Sequence, residues 1–353
     1  MKLDSIAIVL ASLASTYAFL LPARVVDSVG KSPARVVDSV SSVRNGRSRL
    51  WAAATPDGEW DATFFSPAKI NLFLRILGKR SDGFHDLASL FQTVAFGDNL
   101  YFRRLAGGAS KDEFDCNMGG VPKDGSNLVL RALELFRRRT STQGFYEVFL
   151  NKSIPPEAGL GGGSANAATA LFAANELAGR PASQEDLQLW SAELGSDITF
   201  FLSTGTCYCT GRGEILDPQE PLPQARVWLV KPSEGLSTPV VFRNLDYDEL
   251  SDLEPEHLLH QFTEQGFEEA EFVNDLEPPA FKAMPSLRQM KQELQGLGFK
   301  HVLMSGSGST IFCIGSPAET APWVDAFTEK WGAMVVDTHF INRPADFHAW
   351  YSQ

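Results

Sequence analysis

Between positions 68 and 76 every even-numbered residue is apolar: Ala68, Ile70, Leu72, Leu74 and Ile76. Period-two alternation predicts a strand with one buried face, and it puts Lys69, Asn71, Phe73 and Arg75 on the other. Strand character begins near Phe64. Lys79-Arg-Ser-Asp-Gly-Phe-His85 then reads as a turn with Asp82 and Gly83 at its tip. Strands are expected over 87–96 and 100–104, parted by Gly97, Asp98 and Asn99. The period then becomes helical. Ser126 is read as the cap of a helix of about ten residues, with Leu128, Ala132, Leu135 and Phe136 on one face. Alternation returns over 146–151, and Ile154-Pro-Pro156 ends it.

A helix is expected from Ser164 to about Ala178, stopped by Gly179 and Pro181. Ser183, with Asp186 three residues on, opens another that Gly195 ends. Asp197 precedes the apolar run Ile198-Thr-Phe-Phe201, where it either caps a short turn or carries chemistry. Residues 205–214 read as strand and tight turn. A second unit begins near Arg226, with a strand over 227–230 and a loop over 232–239. An acidic helical stretch covers 248–272, and Asn274-Asp-Leu-Glu-Pro-Pro279 breaks it. A capped helix over 286–297, strands over 302–304 and 311–314, a helix over 318–331 and a strand over 334–340 complete the chain. This β-α-β-β-α-β order is that of a ferredoxin-like split βαβ unit.

Composition narrows the function. The 353 residues carry a formal charge of −12, with 44% hydrophobic and 21% charged positions. That suits a soluble two-domain enzyme and argues against nucleic acid or an anionic membrane as the main partner. Any anion site must be built locally. Cys116, Cys207, Cys209 and Cys313 form no CxxC pair, so they read as buried thiols in a reducing compartment. The six histidines lack a metal pattern, and His257 and His260 read as solvated. Residues 1–50 are different in kind. Lys2 precedes the apolar run from Ile6 to Leu13, too short to span a bilayer, and small residues follow. Pro22-Ala-Arg-Val-Val-Asp-Ser-Val29 recurs as Pro33-Ala-Arg-Val-Val-Asp-Ser-Val40, and the segment holds seven basic and three acidic residues. A signal-like run followed by a basic, Ser-rich, acid-poor stretch predicts a bipartite leader into a plastid, removed from a mature protein with no membrane association.

Candidate chemistry sits between the elements. Gly159-Leu-Gly-Gly-Gly-Ser164 runs straight into an alanine-rich helix. Glycines let a backbone approach a ligand closely, and a helix start presents free N–H groups and a positive dipole end. Together they make an anion cradle or a plain turn before a core helix. Asn71 has poor strand propensity, so Lys69 and Asn71 side by side mark a local inconsistency of the kind found at sites. Phe84 beside His85 offers a ring and a hydrogen-bonding group to a flat ligand, or is simply a hairpin tip. Ser305-Gly-Ser-Gly308 is a second backbone nest or a hairpin turn.

Pro67-Ala-Lys-Ile-Asn-Leu72, Pro156-Glu-Ala-Gly-Leu-Gly-Gly-Gly-Ser164 and Leu303-Met-Ser-Gly-Ser-Gly308 resemble the three ordered motifs of the GHMP small-molecule kinases. Arg80-Ser-Asp-Gly-Phe-His85, Gly195 to Phe201 and Asn274-Asp-Leu-Glu277 narrow the resemblance to the branch acting on 4-diphosphocytidyl-2-C-methyl-D-erythritol. The resemblance implies an α+β fold, with a ribosomal-S5-like N-terminal domain over 60–222 that binds ATP and a ferredoxin-like domain over 225–350. The active site is then expected between them. Asp197 is implied as acceptor of the alcohol proton, and Lys69 as the cation between Asp197 and the γ-phosphate. Gly159, Leu160, Gly161, Gly162, Gly163, Ser164, Ala165 and Asn166 are implied as the phosphate loop, with Ser164 or Asn166 near Mg²⁺. Asn71, Phe84, His85, Phe242 and Thr238 are implied for the substrate, with Asn71 alternatively reinforcing the Lys69–Asp197 pair, and Ser305, Gly306, Ser307 and Gly308 as the second loop. No GxxxxGK[ST] sequence occurs. Phe84 stands where the family usually has Tyr, Ala165 replaces a usual Ser, and Ser196-Asp-Ile-Thr199 replaces a usual Ala-Asp-Val-Pro. Rival expectations are another GHMP kinase, acting on homoserine, mevalonate or a sugar, and a non-catalytic ligand-binding protein on the same fold.

Overall fold

The computed structural model describes residue 56 and residues 58–266, 269–318, 322–344 and 346–352. The leader expected over 1–50 lies outside them. The first half is organised on a long antiparallel hairpin of β1 (Ala62–Lys79) and β2 (His85–Arg104). β3 (Glu113–Cys116), β4 (Tyr146–Asn151), β5 (Thr206–Gly211) and β6 (Ile215–Pro218) extend it in the order β3-β4-β2-β5-β6, with β1 paired to β2 off that path. The break expected at 97–99 is absent. Gly97 pairs with Pro67 inside the hairpin, and a β-carbon on it would lie 2.2 Å from the Ser66 carbonyl oxygen. Glycine there serves a close approach beside a register shift, and β2 runs through it as one strand.

β1 also departs from the one-faced pattern. Lys69, Asn71, Phe73 and Arg75 are all buried, as are Ile70, Leu72 and Leu74. A register shift between Asn71 and Phe73 lets both Leu72 and Phe73 enter apolar surroundings. Four helices belong to this half: α1 (Leu128–Thr140), α2 (Gly162–Leu177), α3 (Gln184–Ser191) and α4 (Ile198–Phe201). The cap of α1 is Asn127 rather than Ser126, since the Asn127 side chain accepts the Val129 N–H at 2.8 Å. Ser126 instead bonds Asp124. α2 starts two residues before Ser164, because Gly161 takes φ 69° and its carbonyl accepts the Ala165 N–H. The Ser183–Asp186 capping box opens α3 as expected.

The second half holds β7 (Arg226–Lys231), α5 (Thr238–Arg243), α6 (Pro255–His260), α7 (Glu277–Ala283), α8 (Pro285–Gly296), β8 (His301–Met304), β9 (Ile311–Ile314), α9 (Trp323–Trp331) and β10 (Met334–His339). Its sheet runs β10-β7-β9-β8, with every pair antiparallel. That is the ferredoxin-like arrangement. The single helix expected over 248–272 is instead a 3₁₀ turn at Tyr247–Glu249, α6 and a short π-helical turn at Gln261–Gln265. Pro255 and Gly266 punctuate it, and proline at a first turn starts a helix rather than continuing one.

Three apolar clusters hold the chain together. One lies between the first sheet and α1, α2 and α4, around Phe102, Phe136 and Phe200. Another lies between the second sheet and α7, α8 and α9, around Leu287, Met290 and Trp323, and takes in Leu74 and Ile76 of β1. The third also spans the halves: Ala68, Ile70, Leu72 and Phe73 of β1 pack with Val227, Leu229, Phe312 and Phe340 of the second half. Truncating any fully buried phenylalanine here costs about 3–5 kcal/mol.

Candidate active site

β1 delivers Lys69 and Asn71 to the floor of a cleft of about 700 Å³. The glycine loop, the Ser/Gly loop, Arg212 and the start of α5 wall it. The Lys69 ammonium donates to Asn71 Oδ1 at 2.7 Å, lies 4.4 Å from the centroid of the Phe91 ring, and stands 3.6 Å from Asp197 Oδ2. Asn71 in turn donates to Ser89 Oγ, which donates to the Phe73 carbonyl. Burial pulls the Lys69 ammonium below its ordinary value, and the Asp197 carboxylate pushes part of the way back.

Asp197 precedes α4 but makes no side-chain cap bond to it. Its side chain is 35% exposed, against 5% for that of Lys69. The carboxylate is therefore held on the buried side by a cation and open on the other to a ligand. α4 is fixed from behind: the Ser191 hydroxyl donates to Thr199 Oγ1, and Gln188 Nε2 donates to the Leu202 carbonyl.

The glycine loop rests against this pair. The Lys69 N–H donates to the Leu160 carbonyl at 3.0 Å, so the loop continues the edge of β1. A β-carbon on Gly161 would fall 2.9 Å from the Phe201 ring and 3.1 Å from Lys69 Cγ. One on Gly159 would meet the Ser305 carbonyl oxygen at 2.1 Å. Ser305 Oγ donates to the Gly159 carbonyl, and the Ser309 and Thr310 N–H groups donate to the carbonyls of Glu157 and Ala158. The two loops expected as separate nests are thus one hydrogen-bonded body. Asn274 secures it by donating to the carbonyls of Met304 and Gly306, each at 2.8 Å.

The residues implied for the phosphate loop divide. Gly159 to Ser164 line the cleft. Ala165 and Asn166 are turned inward and buried. Asn166 donates to Ser66 Oγ and Asp98 Oδ2, and it accepts from Lys152 Nζ at 3.3 Å. Lys152 donates to Asp98 Oδ2 at 2.7 Å, while Asp98 Oδ1 accepts the N–H groups of Ser153 and Ile154. This buried network carries the loop's entry. Asp98 had read as a turn residue, and nothing nearby in sequence announces Lys152 or Asn166 as its partners.

At the other end of the cleft, Phe84 is exposed and His85 is half-buried. The His85 ring lies 4.8 Å from that of Phe242, and its Nε2 is 2.9 Å from the Tyr247 hydroxyl. Burial and nearby Lys79 lower its pKa, which favours the neutral ring. Thr238 Oγ1 and Ser307 Oγ are 2.7 Å apart, joining α5 to the Ser/Gly loop. Arg212, which sequence reasoning passed over, lines the same end with its guanidinium 5.1 Å from the Phe84 ring centroid. The four cysteines are free and buried. Among the described residues no cluster of His, Cys, Asp or Glu suits a metal ion, and no helix is long and apolar enough to cross a membrane.

Comparison with known proteins finds relatives of this chain. Family models for the GHMP kinases N terminal domain and GHMP kinases C terminal match residues 127–205 and 253–331. The chloroplastic 4-diphosphocytidyl-2-C-methyl-D-erythritol kinase of Arabidopsis thaliana is 48% identical, over 82% of this chain and 76% of that one. Its counterpart from Oryza sativa subsp. japonica is 52% identical, over 82% and 72%. A crystal structure of 4-(cytidine 5'-diphospho)-2C-methyl-D-erythritol kinase superposes with a TM-score of 0.66 at 29% identity, covering 79% of this chain and 99% of that one.

Proposed function

Since the chain belongs to the 4-diphosphocytidyl-2-C-methyl-D-erythritol kinases, within the GHMP kinases, we propose how its cleft performs their reaction. The enzyme transfers the γ-phosphoryl group of ATP to the 2-hydroxyl of 4-diphosphocytidyl-2-C-methyl-D-erythritol, a step of non-mevalonate isoprenoid precursor synthesis. The observation that carries the assignment of roles is the Lys69–Asp197 pair, 3.6 Å apart beside the glycine loop.

Asp197 accepts the hydroxyl proton on its open side. Lys69 orients that carboxylate and offsets charge growing on the transferring phosphoryl group. The first-turn N–H groups of α2 and the Gly159–Ser164 backbone hold the ATP phosphates without a P-loop lysine. Mg²⁺ would accompany ATP and offset the charge on its phosphates, and Ser164 Oγ at the helix start is the group that would hold it. Phe84 and Phe242 flank the cytosine, His85 hydrogen-bonds it and Thr238 binds the polar remainder of the substrate, while Asn71, buried between Lys69 and Ser89, reinforces the Lys69–Asp197 pair. Residues 60–222 form the ATP-binding half and 225–350 the ferredoxin-like half. The leader-like residues 1–50, together with relatives named chloroplastic, support import into a plastid.

Asp197→Asn is expected to keep the fold and lose about 10²–10⁴-fold in kcat. A folded variant with near wild-type turnover would remove Asp197 from this role. Mass spectrometry of products from Mg-ATP with a panel of alcohols, including homoserine, mevalonate and the cytidine diphosphate substrate, tests the acceptor. Phosphorylation of another alcohol in preference would assign the cleft to a different GHMP kinase, and no product from any would point to a binding protein.

A further inference from the structure

Beyond β10 the chain does not stay with the second sheet. Phe340 bridges to Val94 of β2, the Ile341 N–H donates to the Thr93 carbonyl, and the Arg343 N–H donates to the Thr204 carbonyl at 3.0 Å. Asn342 Nδ2 donates to the same Thr204 carbonyl and to Thr206 Oγ1. The Tyr351 hydroxyl donates to the Ser203 carbonyl at 3.2 Å. Trp350 stacks on Phe172 of α2 at 4.5 Å and donates its indole N–H to the Phe65 carbonyl at 2.7 Å. The segment arrives from an edge strand of one sheet and grips the other.

What it grips is the far end of the Asp197 element. Residues 203–206 are the turn that leaves α4 and enters β5. Three of the four residues in that turn bond to the C-terminal segment. The remaining one, Gly205, has φ 103° and no room for a side chain: a β-carbon would fall 2.5 Å from Thr93 Oγ1 and 3.1 Å from Tyr351 Cε1. α4 is a single turn long, so displacement of its exit is carried directly to Asp197 at its entry. None of these tail residues lines the cleft.

We propose that the C-terminal segment, through Asn342, Arg343 and Tyr351, is a positioning element that sets Asp197 against Lys69. It couples the placement of the second half to the geometry of proton transfer. The proposal rests on Asp197 as proton acceptor, so its test is built to separate the two ideas.

Tyr351→Phe removes one bond to the turn and Asn342→Ala removes two, and both leave the apolar packing in place. Each is made in the wild type and in Asp197→Asn, and kcat, the KM for ATP and thermal unfolding are measured. Misplacing a reacting group by a fraction of an ångström is expected to lower kcat by about tenfold in the wild type with the KM for ATP unchanged. In Asp197→Asn, where no proton acceptor remains to be misplaced, the same substitutions are expected to lower residual turnover by less than about twofold. Equal losses in both backgrounds, or a lower unfolding temperature with wild-type kcat, would make the segment a stabilising clasp and overturn the proposal. Asp197→Asn alone reads the proton-acceptor assignment, so the two fail independently.

Discussion

At the scale of single residues, Lys69 departs furthest from what its local pattern predicts. Alternation along β1 assigned it to an open face, and the structure buries it beside Phe91. Desolvation dominates its titration, so the ammonium loses its proton below the ordinary 10.5 despite Asp197. Because the cation is assigned to transfer, kcat/KM, which reports the free enzyme, is expected to fall on the alkaline side at a pH lower than an exposed lysine would give. Lys69→Arg, which stays charged, is expected to be slower yet to lose that limb; an unchanged alkaline limb in its pH–kcat/KM profile would refute the assignment. Glycines in the loop also differ one from another. Gly159→Ala demands φ 73° of an alanine and drives its methyl into the Ser305 carbonyl. It should cost at least about 1–2 kcal/mol in denaturant unfolding. Gly163→Ala meets only Leu128 Cδ1 at 3.7 Å and should be neutral or stabilising. The run of glycines was legible from sequence, but not which of them is indispensable, because the Ser305 carbonyl comes from a loop remote along the chain.

Among the elements, α2 shows what spacing could have settled. Ser164 and Asn166 are two apart, so on a helix they point to opposite sides. Ser164 meets the cleft, and Asn166 meets Asp98 and Lys152. Helical geometry alone argued against giving both to phosphate. The break at 274–279 was legible as a break, but not as a brace. Asp275 Oδ2 accepts Arg75 Nε at 2.9 Å and the Ile76 N–H at 2.7 Å, while Oδ1 accepts the Ser251 N–H. It fastens β1 to the second half where Leu74 bonds to Val273 and Asp275. Removing it strands a buried guanidinium, so Asp275→Ala should lower stability by about 3–5 kcal/mol in equilibrium unfolding. A loss under about 1 kcal/mol would mean that the pair is solvated and dispensable. The acidic stretch over 248–272 was misread as one helix because charge and helical propensity say little about where tertiary contacts cut a helix short.

For the whole molecule, the two halves are joined by the shared cluster between β1 and the second sheet, by the Asp275 brace and by the C-terminal segment. The short elements β3, β6, α5 and α7 left no readable pattern, but most of the other strands and helices could be read from periodicity. The burial of both faces of β1 could not, since its second partner arrives only from residues 227 onward. Halves so joined should melt together. Thermal unfolding is expected as one transition, and a non-hydrolysable ATP analogue at about 100 times its Kd should add about 2.7 kcal/mol to it. Two resolved transitions, with only one shifted by the analogue, would show that the halves are independent. The fit between Gly159 and Ser305 bears on exchange of parts between relatives. One loop lacks a side chain where the other presents a carbonyl, so neither tolerates a foreign counterpart of different contour. A chimera joining one relative's first half to another's second half would have to inherit both loops from the same parent.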